Sequence, residues 1–170
     1  MRIRVFKYLI SLFTIVLSVV SCGIYSFTGT SIAPDVKTIN VATIENKAMK
    51  VNPSLSNLIT NALQDKYRSL TKLEFVDMDP DLEVSGYITD YSVIPTAVTS
   101  EEVASKNRLT ITVKIKFVNE KHHDEDFEKN FVAYSDYDST SSLDAVESEL
   151  CDEIVKTLVE NIFNATVANW

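Results

Sequence analysis

Residues 107–119 read NRLTITVKIKFVN, and this stretch decides the fold. Apolar side chains occupy every second position, and polar ones stand between them: Thr110, Thr112, Lys114 and Lys116. Strict alternation over this length predicts a β-strand with one face on a hydrophobic core and the other face in water. We therefore build the fold outward from this half-buried strand.

Two more strands flank it. The polar run Lys121–Asp126 predicts a hairpin turn, after which Phe127–Tyr137 returns as the next strand. On the other side, the turn signal Asp79-Pro80-Asp81 opens a strand over Leu82–Ile94, in which Gly86 marks a bulge or bend. The three strands form an antiparallel meander.

Two amphipathic helices and a first strand complete the chain. Val36–Ile44 is rich in β-branched residues and predicts a strand. A helix follows, capped by Asn52, with apolar residues at three- and four-residue spacings as far as Leu70. Ser141 begins the last helix in capping-box style, and its apolar stripe ends at Phe163.

The element order β-α-β-β-β-α defines the expected fold class. It predicts an α+β two-layer sandwich in which two helices cover one face of a mixed four-stranded sheet. The second sheet face is then left open. The residues expected on it are Tyr87, Thr89, Tyr91, Thr110, Thr112, Lys114 and Lys116.

The N-terminus has the layout of a bacterial lipoprotein signal. Three basic residues precede an apolar stretch over Tyr8–Val20, which ends in Val19-Val20-Ser21-Cys22. We expect residues 1–21 to be a signal peptide, 22–35 a tether lipidated at Cys22, and 36–170 a single domain. The alternative is an ordinary secreted protein in which this cysteine occurs by chance.

Charge and the residues after Cys22 bear on location and partners. The formal net charge of −8 becomes −11 when the signal, with three basic and no acidic residues, is removed. An acidic chain is a poor nucleic-acid binder, since phosphate binding needs clustered Lys and Arg. Gly23 follows the lipidated position, where an aspartate would favour retention in the inner membrane. The expected location is the outer membrane, lipid-anchored on the periplasmic side.

Candidate sites are few, and no catalytic group, cofactor or metal site is predicted. His122 and His123 are adjacent in a polar turn, and neighbouring side chains on an extended chain point apart, so a solvated turn is favoured over a metal site. The densest basic set is Arg108, Lys114 and Lys116 on one strand. Such residues either discourage edge pairing or form a cationic strip for phosphate or carboxylate groups of a ligand.

These features together resemble a known family. A lipobox cysteine followed by Gly-Ile-Tyr-Ser-Phe-Thr-Gly, the strand motif Gly86-Tyr87-Ile88-Thr89-Asp90-Tyr91 and the C-terminal amphipathic helix resemble LptE lipopolysaccharide-assembly lipoproteins in their Bacteroidetes-like version. The resemblance implies a non-enzymatic protein that plugs the lumen of the outer-membrane β-barrel LptD. It also implies help with barrel assembly and with lipopolysaccharide insertion into the outer leaflet. Basic sheet residues contact lipopolysaccharide in that family, and the candidates here are Arg108, Lys114 and Lys116.

Two other functions fit some of these features less well. An outer-membrane lipoprotein that regulates a peptidoglycan synthase also combines a lipidated cysteine with a small α/β domain, but it needs a long tether. Gly23–Asp35 spans 13 residues and reaches at most about 45 Å, which favours a domain held near the membrane. A periplasmic hydrolase lacks a plausible catalytic base.

Overall fold

The computed structural model describes residues 32–50, 52–96 and 106–167. Its strands are β1 (Thr38–Val41), β2 (Glu45–Asn46), β3 (Glu74–Phe75), β4 (Leu82–Thr96), β5 (Lys106–Asn119) and β6 (Phe127–Asp138). Its helices are α1 (Leu55–Leu70) and α2 (Leu143–Val167), with a 3-10 turn at His123–Glu125. The predicted α+β class is confirmed. The predicted signal peptide and most of the predicted tether, including Cys22, lie outside the described residues.

The sheet is mixed, as predicted, but it has six strands among the described residues where four were expected. Its order is β3-β1-β4-β5-β6, and β2 pairs with β4 beyond the end of β1. β1 runs parallel to β3 and β4, while β4, β5 and β6 form the antiparallel meander. The two additional strands, β2 and β3, have two residues each, which is too short for an alternating pattern to reveal them.

The two helices bury their apolar stripes against one face of the sheet. From α1, Leu55, Ile59, Leu63 and Tyr67 are fully buried, and from α2 so are Leu158 and Ile162. They meet sheet residues such as Ile39, Val84 and Ile111 in one continuous core. Burying each such aliphatic side chain stabilises the fold by about 1.5–3 kcal/mol.

Both helices begin slightly later than predicted. The Asn52 side-chain oxygen accepts hydrogen bonds from the main-chain N–H and the hydroxyl of Ser54, at 3.0 and 2.8 Å. Asn52 thus closes a turn before the helix, and α1 starts at Leu55. α2 starts at Leu143, so the predicted cap Ser141 lies in the preceding turn.

The irregularity predicted at Gly86 occurs instead at Thr89, where the β4–β5 register shifts. Gly86 has a different role, because a Cβ atom there would lie 2.2 Å from the carbonyl oxygen of Lys114. Only glycine permits this approach of the two strands. The shift at Thr89 also changes which side chains face the core. Tyr91, expected on the open face, is 3% exposed and donates a hydrogen bond to Glu147 of α2.

Asp81 joins the start of β1 to the start of β4. Its carboxylate accepts main-chain N–H groups of Lys37 and Thr38 at 2.8 and 3.1 Å and pairs with the Lys121 ammonium at 3.2 Å. The hydrogen bond from Lys37 is the largest cause that lowers the pKa of Asp81 to about 2. This carboxylate fixes the parallel register of β1 beside β4.

Candidate functional site: the open face of the sheet

The open face is the side of β4, β5 and β6 that lies away from the helices. Strand register and alternating burial place Tyr87, Thr110, Thr112, Lys114 and Lys116 on it, as the sequence predicts. Arg108 shares that face of β5. β6 contributes Glu128, Asn130, Val132, Tyr134 and Asp136 directly opposite these β5 positions. The candidate basic residues therefore share one surface with a row of β6 side chains.

Arg108 is held in a fixed orientation. Its Nε and Nη2 atoms donate to the two carboxylate oxygens of Asp136 at 2.6 and 2.9 Å, and its guanidinium lies 3.7 Å from the ring centre of Tyr134. The hydrogen bond from Arg108 is the main cause that lowers the pKa of Asp136. A bidentate, ring-stacked guanidinium is oriented by the fold itself.

Lys114 and Lys116 share one acidic neighbour. The Lys114 ammonium lies 2.5 Å from the carboxylate of Glu128, and Lys116 is opposite Glu128 in the strand register. The hydrogen bond from Lys114 lowers the pKa of Glu128, and the charge of Lys116 lowers it further. The same contact raises the pKa of Lys114. Two lysines thus surround one carboxylate.

The three candidate residues do not form one continuous strip. Arg108 is six positions from Lys114, or about 20 Å along the strand, while Lys114 and Lys116 are about 7 Å apart. Sequence reasoning missed the acidic partners Asp136 and Glu128. The sequence contained a signal for these partners. Alternation along β6 places Glu128 and Asp136 on the side of the strand opposite the buried Phe131 and Ala133.

The half of the open face around Arg108 also carries exposed apolar side chains. Ile94, Val132 and Tyr134 are 53%, 54% and 56% exposed. Strand pairing sets Ile94 beside Arg108, and Tyr134 beside Thr110. Exposed apolar side chains that share one face of a sheet make that face a candidate contact surface.

Each of the two histidines has a carboxylate partner. His122 Nε2 lies 3.1 Å from Asp35, and His123 Nδ1 lies 3.1 Å from Asp126. Within the described ranges, no three His, Cys, Asp or Glu side chains gather as metal ligands would. Cys151 is buried, and burial raises the pKa of its thiol to about 11. A thiol with this pKa is a poor nucleophile.

A cavity of about 330 Å³ lies at the end of the sandwich where the described chain begins. Its lining is mixed: Ile32, Phe117 and Phe127 contribute apolar side chains, and Asp124 and Glu125 contribute carboxylates. Carboxylates at this position repel phosphate groups. This cavity is therefore unsuited to an anionic ligand.

Solved structures of two bacterial proteins share this fold. It resembles a hypothetical protein of Chlamydia trachomatis, with a TM-score of 0.51 and 8% identity over 79% of this chain and 99% of that one. It also resembles an uncharacterised lipoprotein B of Nitrosomonas europaea, with a TM-score of 0.52 and 9% identity over 75% of this chain and 79% of that one. The model of the LptE lipopolysaccharide-assembly family matches residues 36–166, so the chain belongs to the LptE family.

Two further observations accompany this assignment. No curated protein matches the sequence at a significant level. Among the described residues, no helix combines the length and the apolar character needed to span a membrane.

Proposed function

We propose that this protein is an outer-membrane lipoprotein, anchored through Cys22 on the periplasmic side. In this proposal it plugs an LptD-type β-barrel, assists barrel assembly and supports insertion of lipopolysaccharide into the outer leaflet, without catalysing a reaction. The observation that carries the proposal is membership of the lipopolysaccharide-assembly family over residues 36–166.

The open face suits contact with the wall of a barrel lumen. The interior of such a barrel is polar, and covering a charged surface is costly when a charge is left unpaired. Arg108 and Lys114 already hold carboxylate partners within the chain. A partner can therefore cover Arg108 and Lys114 without leaving either cation unpaired, and it needs to supply an acceptor only for Lys116, while Ile94, Val132 and Tyr134 supply apolar contact area.

Lipopolysaccharide contact is proposed at Arg108, Lys114 and Lys116. An anionic phosphate must compete with Asp136 for Arg108 and with Glu128 for Lys114, since both carboxylates are already in place. Lys116 is exposed and shares Glu128 with Lys114. We therefore place the first phosphate contact at the Lys114–Lys116 pair.

Co-purification tests the barrel proposal. The full-length chain carrying an affinity tag is isolated from detergent-solubilised outer membranes, and an LptD-type barrel is expected to accompany it. Depletion of the chain should reduce the amount of folded barrel and leave lipopolysaccharide in the inner membrane or periplasm. Recovery of a peptidoglycan synthase without a barrel would refute the proposal and support the regulatory alternative.

The lipid-contact part has its own test. Lys116→Glu should weaken binding of purified lipopolysaccharide several-fold, with an effect that shrinks as salt is raised, because exposed charges are screened. Lys72→Glu, an exposed lysine outside the open face, makes the same charge change as a control. Equal loss in the two variants would show that net charge, and not this site, governs binding.

Mass spectrometry tests the anchor. The mature N-terminal peptide should begin at an acylated Cys22. An intact Met1 terminus, or an unmodified Cys22, would contradict the lipoprotein assignment while leaving the fold untouched.

A further inference from the structure

The cavity of about 330 Å³ at the end of the sandwich lies where the two ends of the described chain meet. Its lining includes Ile32, the first described residue, and Val167, the last. Ala168, Asn169 and Trp170 follow Val167 in the sequence and lie outside the described residues. A segment with a large aromatic side chain therefore starts at the wall of this cavity.

The burial pattern of α2 predicts the side of the helix on which Trp170 falls. Buried residues of α2 recur in adjacent pairs, four positions apart, at 150–151, 154–155, 158–159, 162–163 and 166–167. One more step of this pattern makes positions 168 and 169 exposed and position 170 buried. Seven residues separate Trp170 from the buried Phe163, which is a difference of about 20° around a helix axis. The apolar stripe of α2 therefore extends to Trp170 and leads into the cavity.

The lining of the cavity suits an indole ring. Leu82, Phe117 and Phe127 supply apolar and aromatic surface, on which a further ring packs favourably. The indole N–H is a donor only, and the carboxylates of Asp124 and Glu125 in the same lining can accept its hydrogen bond. A cavity of roughly 150 Å³ holds benzene, so the volume here is enough for the two fused rings of one indole.

We propose that Trp170 occupies this cavity, with its ring against Phe117 and Phe127 and its N–H directed to the carboxylates of the turn after β5. In this arrangement it joins the end of α2 to Ile32 and Val36, which line the same cavity where the predicted tether meets the domain. The cavity is then the closed end of the core and not a site for a ligand. The inference does not rest on the proposed function.

Aromatic residues of the predicted tether are the competing occupants. Tyr25 and Phe27 precede Ile32 in the sequence, and Ile32 also lines the cavity. No periodic stripe leads into their segment, because residues 32–37 come before the first strand and belong to no helix. Phe27 also has no donor for the carboxylates. Trp170 has both the stripe and the donor, and it is three residues from a lining residue, so it is the favoured occupant.

Urea unfolding of the full-length chain tests which side chain fills the cavity. Trp170→Ala should lower the midpoint by at least about 1 M, because it empties a filled site in the core. Asn169→Ala changes a side chain that the same pattern places in water, and Phe27→Ala changes the competing occupant, so both should keep the midpoint of the parent. A loss of stability in Phe27→Ala but not in Trp170→Ala would assign the cavity to the tether. A loss in neither variant would show that neither side chain fills it, and either result overturns the proposal.

A double-mutant cycle tests where Trp170 packs. If Trp170 contacts Phe127, the losses of stability in Trp170→Ala and Phe127→Leu should not add in the double variant. Phe75→Leu is the matched control, because Phe75 is also a half-buried ring but lies in β3, at the other edge of the sheet. Its effect should add to that of Trp170→Ala. Simple additivity with Phe127→Leu would place Trp170 elsewhere and overturn the proposal.

Trp170 is the single tryptophan of the chain, so its fluorescence reports its own surroundings. In the parent chain the emission should change at the same urea midpoint as the far-ultraviolet circular dichroism, because a docked ring leaves the cavity only when the domain unfolds. An emission that stays constant through the unfolding transition would show an undocked ring and contradict the proposal.

Discussion

The hydrogen bond between Tyr67 and Thr166 provides a test of how the two helices are joined. Their side-chain oxygens lie 2.6 Å apart, and both residues are buried. The Thr166 hydroxyl is also 3.0 Å from the carbonyl oxygens of Ile162 and Phe163, to which it can donate. We therefore assign Tyr67 as donor to Thr166. Burial raises the pKa of Tyr67, so its phenol stays protonated.

The two single substitutions should have unequal effects. Tyr67→Phe removes one neutral hydrogen bond while Thr166 keeps its carbonyl acceptors, which should destabilise the fold by about 1 kcal/mol. Thr166→Val has nearly the same shape but leaves the buried phenol without its acceptor, which should cost about 1–3 kcal/mol. In the double variant no polar group is stranded. The double variant should therefore lose less stability than the two single variants lose together, with a coupling energy of about 1 kcal/mol.

Urea unfolding at pH 7, followed by far-ultraviolet circular dichroism, measures these differences. If the free energy of unfolding falls by about 2 kcal/mol per molar urea, a loss of 1 kcal/mol in stability lowers the midpoint urea concentration by about 0.5 M. The slopes should be equal across the set, since no variant exposes new surface in the folded state. If Thr166→Val is no more destabilising than Tyr67→Phe, or if the two effects simply add, the donor assignment and the buried-phenol argument are wrong.

Three further predictions follow from single positions. Because the folded pKa of Asp81 is depressed to about 2, its contribution to stability is present above pH 4 and is lost as the pH falls toward 2; Asp81→Asn should flatten the acid side of a stability profile over that window. Gly86→Ala should lower thermal stability by about 1–3 kcal/mol, because the new methyl group meets a main-chain carbonyl at 2.2 Å, whereas Ser85→Ala next to it should change little. Leu63→Asp should abolish the cooperative thermal transition by burying a carboxylate in the core, while the exposed Asn61→Asp should melt within a few degrees of the parent.

Sequence patterns predicted β5 and the two helices well because each of these elements obeys one period throughout. β5 alternates from end to end, and the stripe of α2 repeats at helical spacing, so burial of the expected side chains followed. In β4 the register shift at Thr89 interrupts the alternation, because one additional residue turns every later side chain to the other face of the sheet. Tyr91 was misplaced for that reason. Thr89 is a residue type that is ordinary in strands, so the sequence contains no signal of this register shift.

The site was predicted less completely. The contacts of a charged side chain depend on the residues opposite it on the neighbouring strand as much as on its own position in the sequence. Alternation correctly places Lys114 and Lys116 on the open face. It does not reveal that Glu128 lies within 2.5 Å of the Lys114 ammonium, a fact that depends on the β5–β6 register. Arg108 likewise lies on the expected strand face, but its stacking on Tyr134 requires the geometry of two strands together.

The ion pairs Arg108–Asp136 and Lys114–Glu128 reduce the free energy that an anion can gain by binding to the open face. A phosphate that reaches Lys114 replaces Glu128, so the binding free energy is the difference between two ion pairs, not the full worth of one. Solvent screens exposed pairs of this kind, so each contributes little, and the difference between two of them is smaller still. The open face alone thus cannot hold an anionic lipid tightly. Under the proposed function, firm attachment is therefore expected from the lipid anchor proposed at Cys22 and from broad contact with the proposed barrel partner, and the ion pairs of Arg108 and Lys114 limit the charge left unbalanced in that contact.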